Sequence, residues 1–180
     1  HKFDKFTFVY MGKIYGHIRN PLPLLRAIGK IEDIDFQYIH IGTIDKEVLE
    51  EIQYMQLPFF QYWGYKTHQE AINYAAGADI SILINNNDIE STGVLTGKIF
   101  ELIKIGKPIL AVGPRHGLVR DLLEKTNSGA YAFIEDEEAI LAAISKLLTG
   151  NMKRVNMDVI DSFSRKRLTQ RLIEVYQHGV

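Results

Sequence analysis

The run "ADISILI" at residues 78–84 is almost unbroken in its apolar character and too short for a helix of ordinary length. A strand with one wet face alternates apolar and polar residues; a run this continuous has to be covered on both faces. Helices must therefore lie above and below it, and the sequence supplies them between further short apolar runs. Strands are predicted at "FTFVYMG" (6–12), "DFQYIHIG" (35–42), "LPFFQYWG" (57–64), "KPILAVG" (107–113) and "GAYAFI" (129–134). Helices are predicted from Pro21 to Gly29, over "DKEVLEEIQ" (45–53) and from Thr67 to Ala76. Three more are predicted over "KIFELIKIG" (98–106, closed by Gly106), "HGLVRDLLEK" (116–125) and "DEEAILAAISKLL" (136–148). This alternation predicts an α/β fold. It is Rossmann-like, a doubly wound parallel six-stranded sheet with helices on both faces, and it ends in an added C-terminal helix.

The chain is expected to form a single domain over 1–180, with its core at about 6–150 and a linker and C-terminal helix at 151–180. "GNMKRVNMD" (150–158) reads as the linker. Phe163, Leu168, Leu172, Val175 and Tyr176 then fall at helical spacing, after a basic start at Arg165, Lys166 and Arg167. On pattern alone this tail, about Phe163 to Tyr176, is a packing helix with solvated charges.

Composition narrows the function classes. Net charge is −1, which gives no basic footprint for nucleic acid. There is no cysteine, hence no disulfide framework, thiol nucleophile or thiolate metal site. No apolar run approaches the roughly 20 residues of a membrane span. A cytoplasmic location is expected. The chain opens on His1 and runs straight into a strand pattern, which suggests that a preceding portion of a longer protein is missing.

"STGVLTGKIFELIKIGKPILAVGP" (91–114) carries a Gly-Lys pair between a strand and a helix. A Walker loop needs four residues between its glycines and a hydroxyl after the lysine. Gly93 and Gly97 are separated by three, and Ile99 follows Lys98. The dinucleotide fingerprint fails as well, since Gly12 and Gly16 give only Gly-x-x-x-Gly with Lys13 in the turn. An anion is still favoured where a helix begins. Free N–H groups at Thr96 and Gly97 and the charge of Lys98 attract phosphate, and Gly97 permits close approach. Glu101, three residues on, shares a helix face with Lys98. Two readings stand: a surface ion pair, or a carboxylate that accepts two ribose hydroxyls beside a phosphate site.

"GKIFELIKIGKPILAVGP" resembles the signature of the donor-binding half of GT-B glycosyltransferases, in the large retaining group 1 family, with Glu101, Gly106 and Pro108 at the matching places. "VYMGKIYGHIRNPLPLLRAI" is similar to the opening strand, glycine loop and helix of that half. "FFQYWGYKTHQEAINYAAGADISIL" and "GLVRDLLEKTNSGAYAF" resemble its later segments, so the likeness covers about residues 6–176.

The resemblance implies the C-terminal, nucleotide-sugar-binding half of a two-domain enzyme, with the N-terminal acceptor-binding domain absent. It implies that Lys13 and Arg19, after Gly12, grip the diphosphate, the other reading being ordinary loop charge. It implies that Gly64, Tyr65 and Lys66 meet the base, although a strand-end aromatic such as Tyr65 also serves packing. Glu101 matches the ribose-binding glutamate. His68 reads as a cap or surface residue. Many relatives carry a second glutamate eight positions earlier, where this chain has Gly93; Glu90 replaces it only if the loop bends, and Ser91 and Thr92 offer hydroxyls.

The expected donor is a UDP-, GDP-, ADP- or dTDP-sugar, with no permanently bound cofactor and no metal. Lys13, Arg19 and Lys98, with Thr96 and Gly97, would stabilise the leaving diphosphate. Expected partners are the nucleotide sugar and the absent domain, through which the whole protein would associate peripherally with a membrane in polysaccharide or glycoconjugate synthesis. Alone, these residues are expected to catalyse little. A nucleotide-sugar 2-epimerase half and a non-catalytic nucleotide-binding module are the competing readings.

Overall fold

The computed structural model describes residues 1–32, 34–150 and 155–178. Six strands, β1 (Phe6–Met11), β2 (Phe36–Ile41), β3 (Phe60–Gly64), β4 (Ile80–Ile84), β5 (Ile109–Gly113) and β6 (Gly129–Phe133), form one all-parallel sheet in the order β3-β2-β1-β4-β5-β6. Successive strands pair outward from β1, then the chain crosses back to lay β4 on the other side of β1. The reversal leaves a crevice at the carboxyl ends of β1 and β4, where open α/β sheets place ligands.

Side-chain alternation assigns the helices to faces. Phe8, Tyr10, Tyr38, Ile82, Leu110 and Val112 point to one side. There they pack on α1 (Leu22–Ile28), α2 (Lys46–Tyr54) and α6 (Glu137–Leu148) through Leu24, Leu25, Ile52, Ile140 and Ile144. Val9, Met11, Ile39, Leu83, Ile109 and Ala111 point to the other. There they meet α3 (His68–Gly77), α4 (Gly97–Ile105) and α5 (Leu118–Thr126) through Ala75, Ile99, Leu102 and Leu122. Every residue of β4 and β5 is buried, as a run covered on both sides requires.

Local chemistry sets the ends. Thr67 and Glu70 close a capping box on α3, and Asp136 caps α6 by accepting from the Ala139 N–H at 2.9 Å. Gly106 ends α4 in the left-handed conformation (φ 80°).

Two expectations need correction. β3 starts at Phe60, not residue 57, because the Phe60 N–H bonds back to the Leu57 carbonyl in a turn that contains Pro58. The tail is two helices, α7 (Met157–Ser162) and α8 (Arg165–His178), rather than one from Phe163. Asn156 caps α7 with its side chain, so helix begins inside the stretch read as linker; residues 151–154 of that stretch lie outside the described residues. Phe163 packs on Phe100 of α4, with ring centroids 5.6 Å apart, while Leu168, Leu172, Val175 and Tyr176 face outward.

His40 on β2 is buried between Tyr10 and Tyr62, and its Nε2 has no hydrogen-bond partner. Burial pushes its pKa down to about 4, against the nearby backbone of Gly12 and Thr43, while the charge of Lys98 adds to the fall. A folded-state pKa below the unfolded one leaves His40 neutral in both states at neutral pH, at no protonation cost, and makes it oppose folding in acid. Stability is therefore expected to drop by about 2–3 kcal/mol as pH falls from about 6.5 to 4. Urea titrations at several pH values check this: His40→Phe should flatten that part of the profile, and an unchanged slope would reject the assignment.

Candidate functional site

A glycine stands at the carboxyl end of three neighbouring strands: Gly12 and Gly42 directly after β1 and β2, and Gly64 as the last residue of β3. The Gly12 N–H donates to the Ile41 carbonyl at 2.8 Å, and the Gly42 N–H to the Gly64 carbonyl at 2.9 Å, so pairing runs on past β1 and β2. Gly12 and Gly42 thus give a bare-backbone floor to an open cleft of about 370 Å³. A Cβ at Gly12 would collide with the Lys98 ammonium, which lies directly over it.

The cleft gathers residues from the ends of β1, β2 and β3 and from α3 and α4. Gly12 and Lys13 follow β1, and Gly42 and Thr43 follow β2. Tyr65, Lys66 and His68 follow β3, while Lys98 and Glu101 come from the first turns of α4. A second cavity of about 270 Å³, built on the β4–α4 loop, is lined by Arg19, Asn85, Asn86, Asp88, Glu90 and Thr96 among others.

Of the sequence candidates, Gly12, Lys13, Tyr65, Lys66, Lys98 and Glu101 therefore come together in one cleft, and Arg19, Glu90 and Thr96 in the other. Gly64 and Gly97 line neither. Gly64 (φ 66°) turns the chain toward Tyr65, and Gly97 is the first residue of α4. The β4–α4 loop does bend, through a 3-10 turn at Glu90–Gly93.

Electrostatics distinguish this region from ordinary surface. Lys13, Arg19 and Lys98 make no ion pair within 4.0 Å among the described residues. Aromatic faces hold them instead. Lys13 Nζ stands 4.6 Å and the Arg19 guanidinium 5.2 Å from the centre of the Tyr15 ring, and Lys98 Nζ stands 5.2 Å from that of Tyr10. Burial, then the charge of Arg19, lower the Lys98 pKa to about 8, with Glu101 acting in the opposite sense. The Lys98–Glu101 surface pair considered from sequence is absent. Glu101 Oε1 instead faces His68 Nε2 at 3.6 Å.

Arg19 is more constrained than a free phosphate ligand. Its Nε and Nη2 donate to Asn86 Oδ1 at 3.0 and 2.7 Å, and its Nη1 to the Lys13 carbonyl at 3.1 Å. It therefore ties the loop after β1 to the loop after β4. Sequence reasoning missed Asn86, Gly42 and Thr43; of its two readings of His68, cap or surface residue, the second holds, and the exposed side chain stands at the rim of the cleft. The helix cap is Thr67, which frees His68 to line the cleft. The one signal available beforehand was a glycine closing each of the first three strand runs.

The sheet order defines a Rossmann-like domain, and its switch-point cleft, with cations that make no ion pair among the described residues, suits an anion. The profile of the "Glycosyl transferases group 1" family matches residues 5–150, and the chain belongs to that family. A comparison with curated protein sequences finds no match. Among solved structures, Anabaena Alr3699/HepE in complex with UDP and glucose superposes with a TM-score of 0.75 at 14% identity, covering 97% of this chain and 49% of that one. The lipopolysaccharide outer core galactosyltransferase WaaB in its apo form gives 0.74 at 11% identity, covering 98% and 50%. A glycosyltransferase from Rickettsia africae gives 0.73 at 18% identity, covering 97% and 48%. The neighbours share the fold, and this chain spans about half the length of each.

Proposed function

We propose that this chain is the C-terminal, donor-binding half of a glycosyltransferase that takes a nucleotide sugar and retains anomeric configuration, acting in polysaccharide or glycoconjugate synthesis. One observation carries the reading. Lys13 and Lys98 share a glycine-floored cleft with one carboxylate, Glu101, and among the described residues neither lysine is neutralised by an ion pair. The solved structures with bound UDP and UDP-glucose lend the fold-level analogy.

In this reading the diphosphate lies across Gly12 toward Lys98 and Lys13, and the ribose meets Glu101. The base lies toward Tyr65 and Lys66, and the sugar extends toward the cavity of Asn86 and Glu90. During transfer the bond from the anomeric carbon to the phosphate oxygen breaks and an acceptor oxygen bonds to that carbon. The acceptor proton passes to the leaving diphosphate. Negative charge grows on that leaving group, where fixed cations stabilise it more than they stabilise the bound donor. The acceptor would come from a second domain.

Thermal stabilisation by UDP-, GDP-, ADP- and dTDP-sugars tests the binding. One of the four is expected to raise the unfolding temperature in a concentration-dependent way; silence from all four rejects the reading. With the complete enzyme and a labelled donor, a new glycoside supports transfer, whereas an isomerised donor would point to epimerisation. Glu101→Gln keeps the side-chain shape but weakens two charge-assisted hydrogen bonds. Affinity for the nucleoside diphosphate is expected to fall about tenfold with folding stability unchanged, as read by calorimetric titration. Unaltered affinity would remove the ribose assignment.

A further inference from the structure

We propose that His68 is a positioning residue for Glu101, fixing its carboxylate before the ribose arrives. The proposal rests on the reading of Glu101 as the ribose acceptor and adds a residue to it.

The imidazole stands on a rigid base. Thr67 Oγ1 and N–H both donate to Glu70 Oε2, at 2.6 and 2.9 Å, and the Glu70 N–H returns a bond to Thr67 Oγ1 at 3.3 Å. The first turn of α3 is thereby locked, and His68 is its first helical residue. α3 and α4 lie on the same face of the sheet, where Ala71 and Ala75 pack with Ile99, Leu102 and Ile103. Ala71, one turn after His68, is small and also lines the cleft, which leaves the imidazole room to reach across to α4.

There the imidazole, itself 69% exposed, meets Glu101 with Nε2 3.6 Å from Oε1, an approach just longer than a hydrogen bond. Among the described residues His68 is the only cationic or imidazole partner within 4.0 Å of that carboxylate. Lys98, one turn back on the same helix, is turned toward Tyr10 instead. The glutamate is about two-fifths exposed (41%), so on a bare helix surface it would sample several rotamers. A ribose diol presents two hydroxyls in fixed relation, and a carboxylate that accepts both must be oriented first. Binding to an unoriented side chain loses its rotamer freedom at that moment. Holding the side chain beforehand removes that cost, which corresponds to about three- to tenfold in affinity.

Calorimetric titration of this chain with uridine diphosphate and with 2′,3′-dideoxyuridine diphosphate tests the role. His68→Ala is expected to weaken the ribonucleotide about three- to tenfold and to leave the dideoxy compound unchanged, since that ligand offers Glu101 nothing to hold. His68→Gln keeps an N–H donor and should recover most of the loss. In a Glu101→Gln background His68→Ala should add no further weakening. The proposal is overturned by undiminished uridine diphosphate affinity in His68→Ala. Equal loss for both ligands, or the same loss in the Glu101→Gln background, overturns it too. If uridine diphosphate binds the unmodified chain and Glu101→Gln weakens it while His68→Ala does not, only this inference falls. If the unmodified chain binds none of uridine, guanosine, adenosine or thymidine diphosphate, the functional reading falls and takes this one with it.

Discussion

Replacing Lys98 by Ala is expected to weaken a nucleoside diphosphate about a hundredfold while changing the bare nucleoside by less than about threefold. The asymmetry follows from where the ammonium lies. It sits over Gly12 in a partly buried position, without an ion pair among the described residues, and therefore faces the space a diphosphate would fill. A hydrogen bond to a charged group contributes about 1.5–3 kcal/mol, and a low-dielectric cleft strengthens the attraction. Lys98 also titrates at about 8 because burial and Arg19 disfavour its charged form. A bound dianion favours that charged form, so the folded-state pKa rises on binding. Uptake of a proton is therefore expected near pH 8–9, and affinity should decline as pH rises above 8. Calorimetry in two buffers of different ionisation enthalpy measures the uptake. Equal losses for nucleoside and nucleoside diphosphate in Lys98→Ala would show that the lysine supports structure instead of binding phosphate.

Much of the fold was legible because the signals were redundant. "ADISILI" can only be a strand covered on both faces, and it became β4 with every residue buried. Gly106 after an apolar helical pattern marked the end of α4, where it takes the left-handed conformation. The misread segments lacked such agreement. At "LPFFQYWG" the aromatics suit a strand, but Pro58 sits in a turn, so pairing begins only at Phe60. In the tail, Asn156 is a cap whose signal was hidden inside a polar stretch that reads equally well as linker.

The site was legible in part for a different reason. Lys98 and Glu101 are close in sequence, so helix geometry alone puts them near each other. The partners they actually use come from other elements. Lys98 lies over Tyr10 of β1, and Glu101 faces His68 of α3. Arg19 is bound by Asn86, 67 positions away. Contacts of that range depend on strand order, which hydrophobic periodicity does not specify. Even after the fold class was read, a particular rotamer and a particular cross-loop bond could not be.

Gly42→Ala is expected to destabilise the domain by about 4 kcal/mol or more and to abolish nucleotide binding at temperatures where the parent chain binds. Two independent penalties meet at this position. Its φ of 132° lies in a region that residues with a side chain rarely adopt. The added Cβ would also collide with the carbonyl oxygen of Gly12, which is backbone and cannot swing aside like a flexible side chain. Relief would require the end of β1 to move away from the end of β2. That movement would stretch the bonds from the Gly12 N–H to Ile41 and from the Ile14 N–H to Thr43, now 2.8 and 2.9 Å. It would also displace Gly12 from beneath Lys98, so damage to the fold and damage to the site share one cause. Gly97→Ala supplies the control, since a Cβ there meets nothing within 4 Å and φ is unexceptional. Urea unfolding of the two variants should separate them by several kcal/mol. Equal midpoints would mean that the contact between the ends of β1 and β2 is looser than this geometry requires, and the glycine floor would lose its role in placing the lysine.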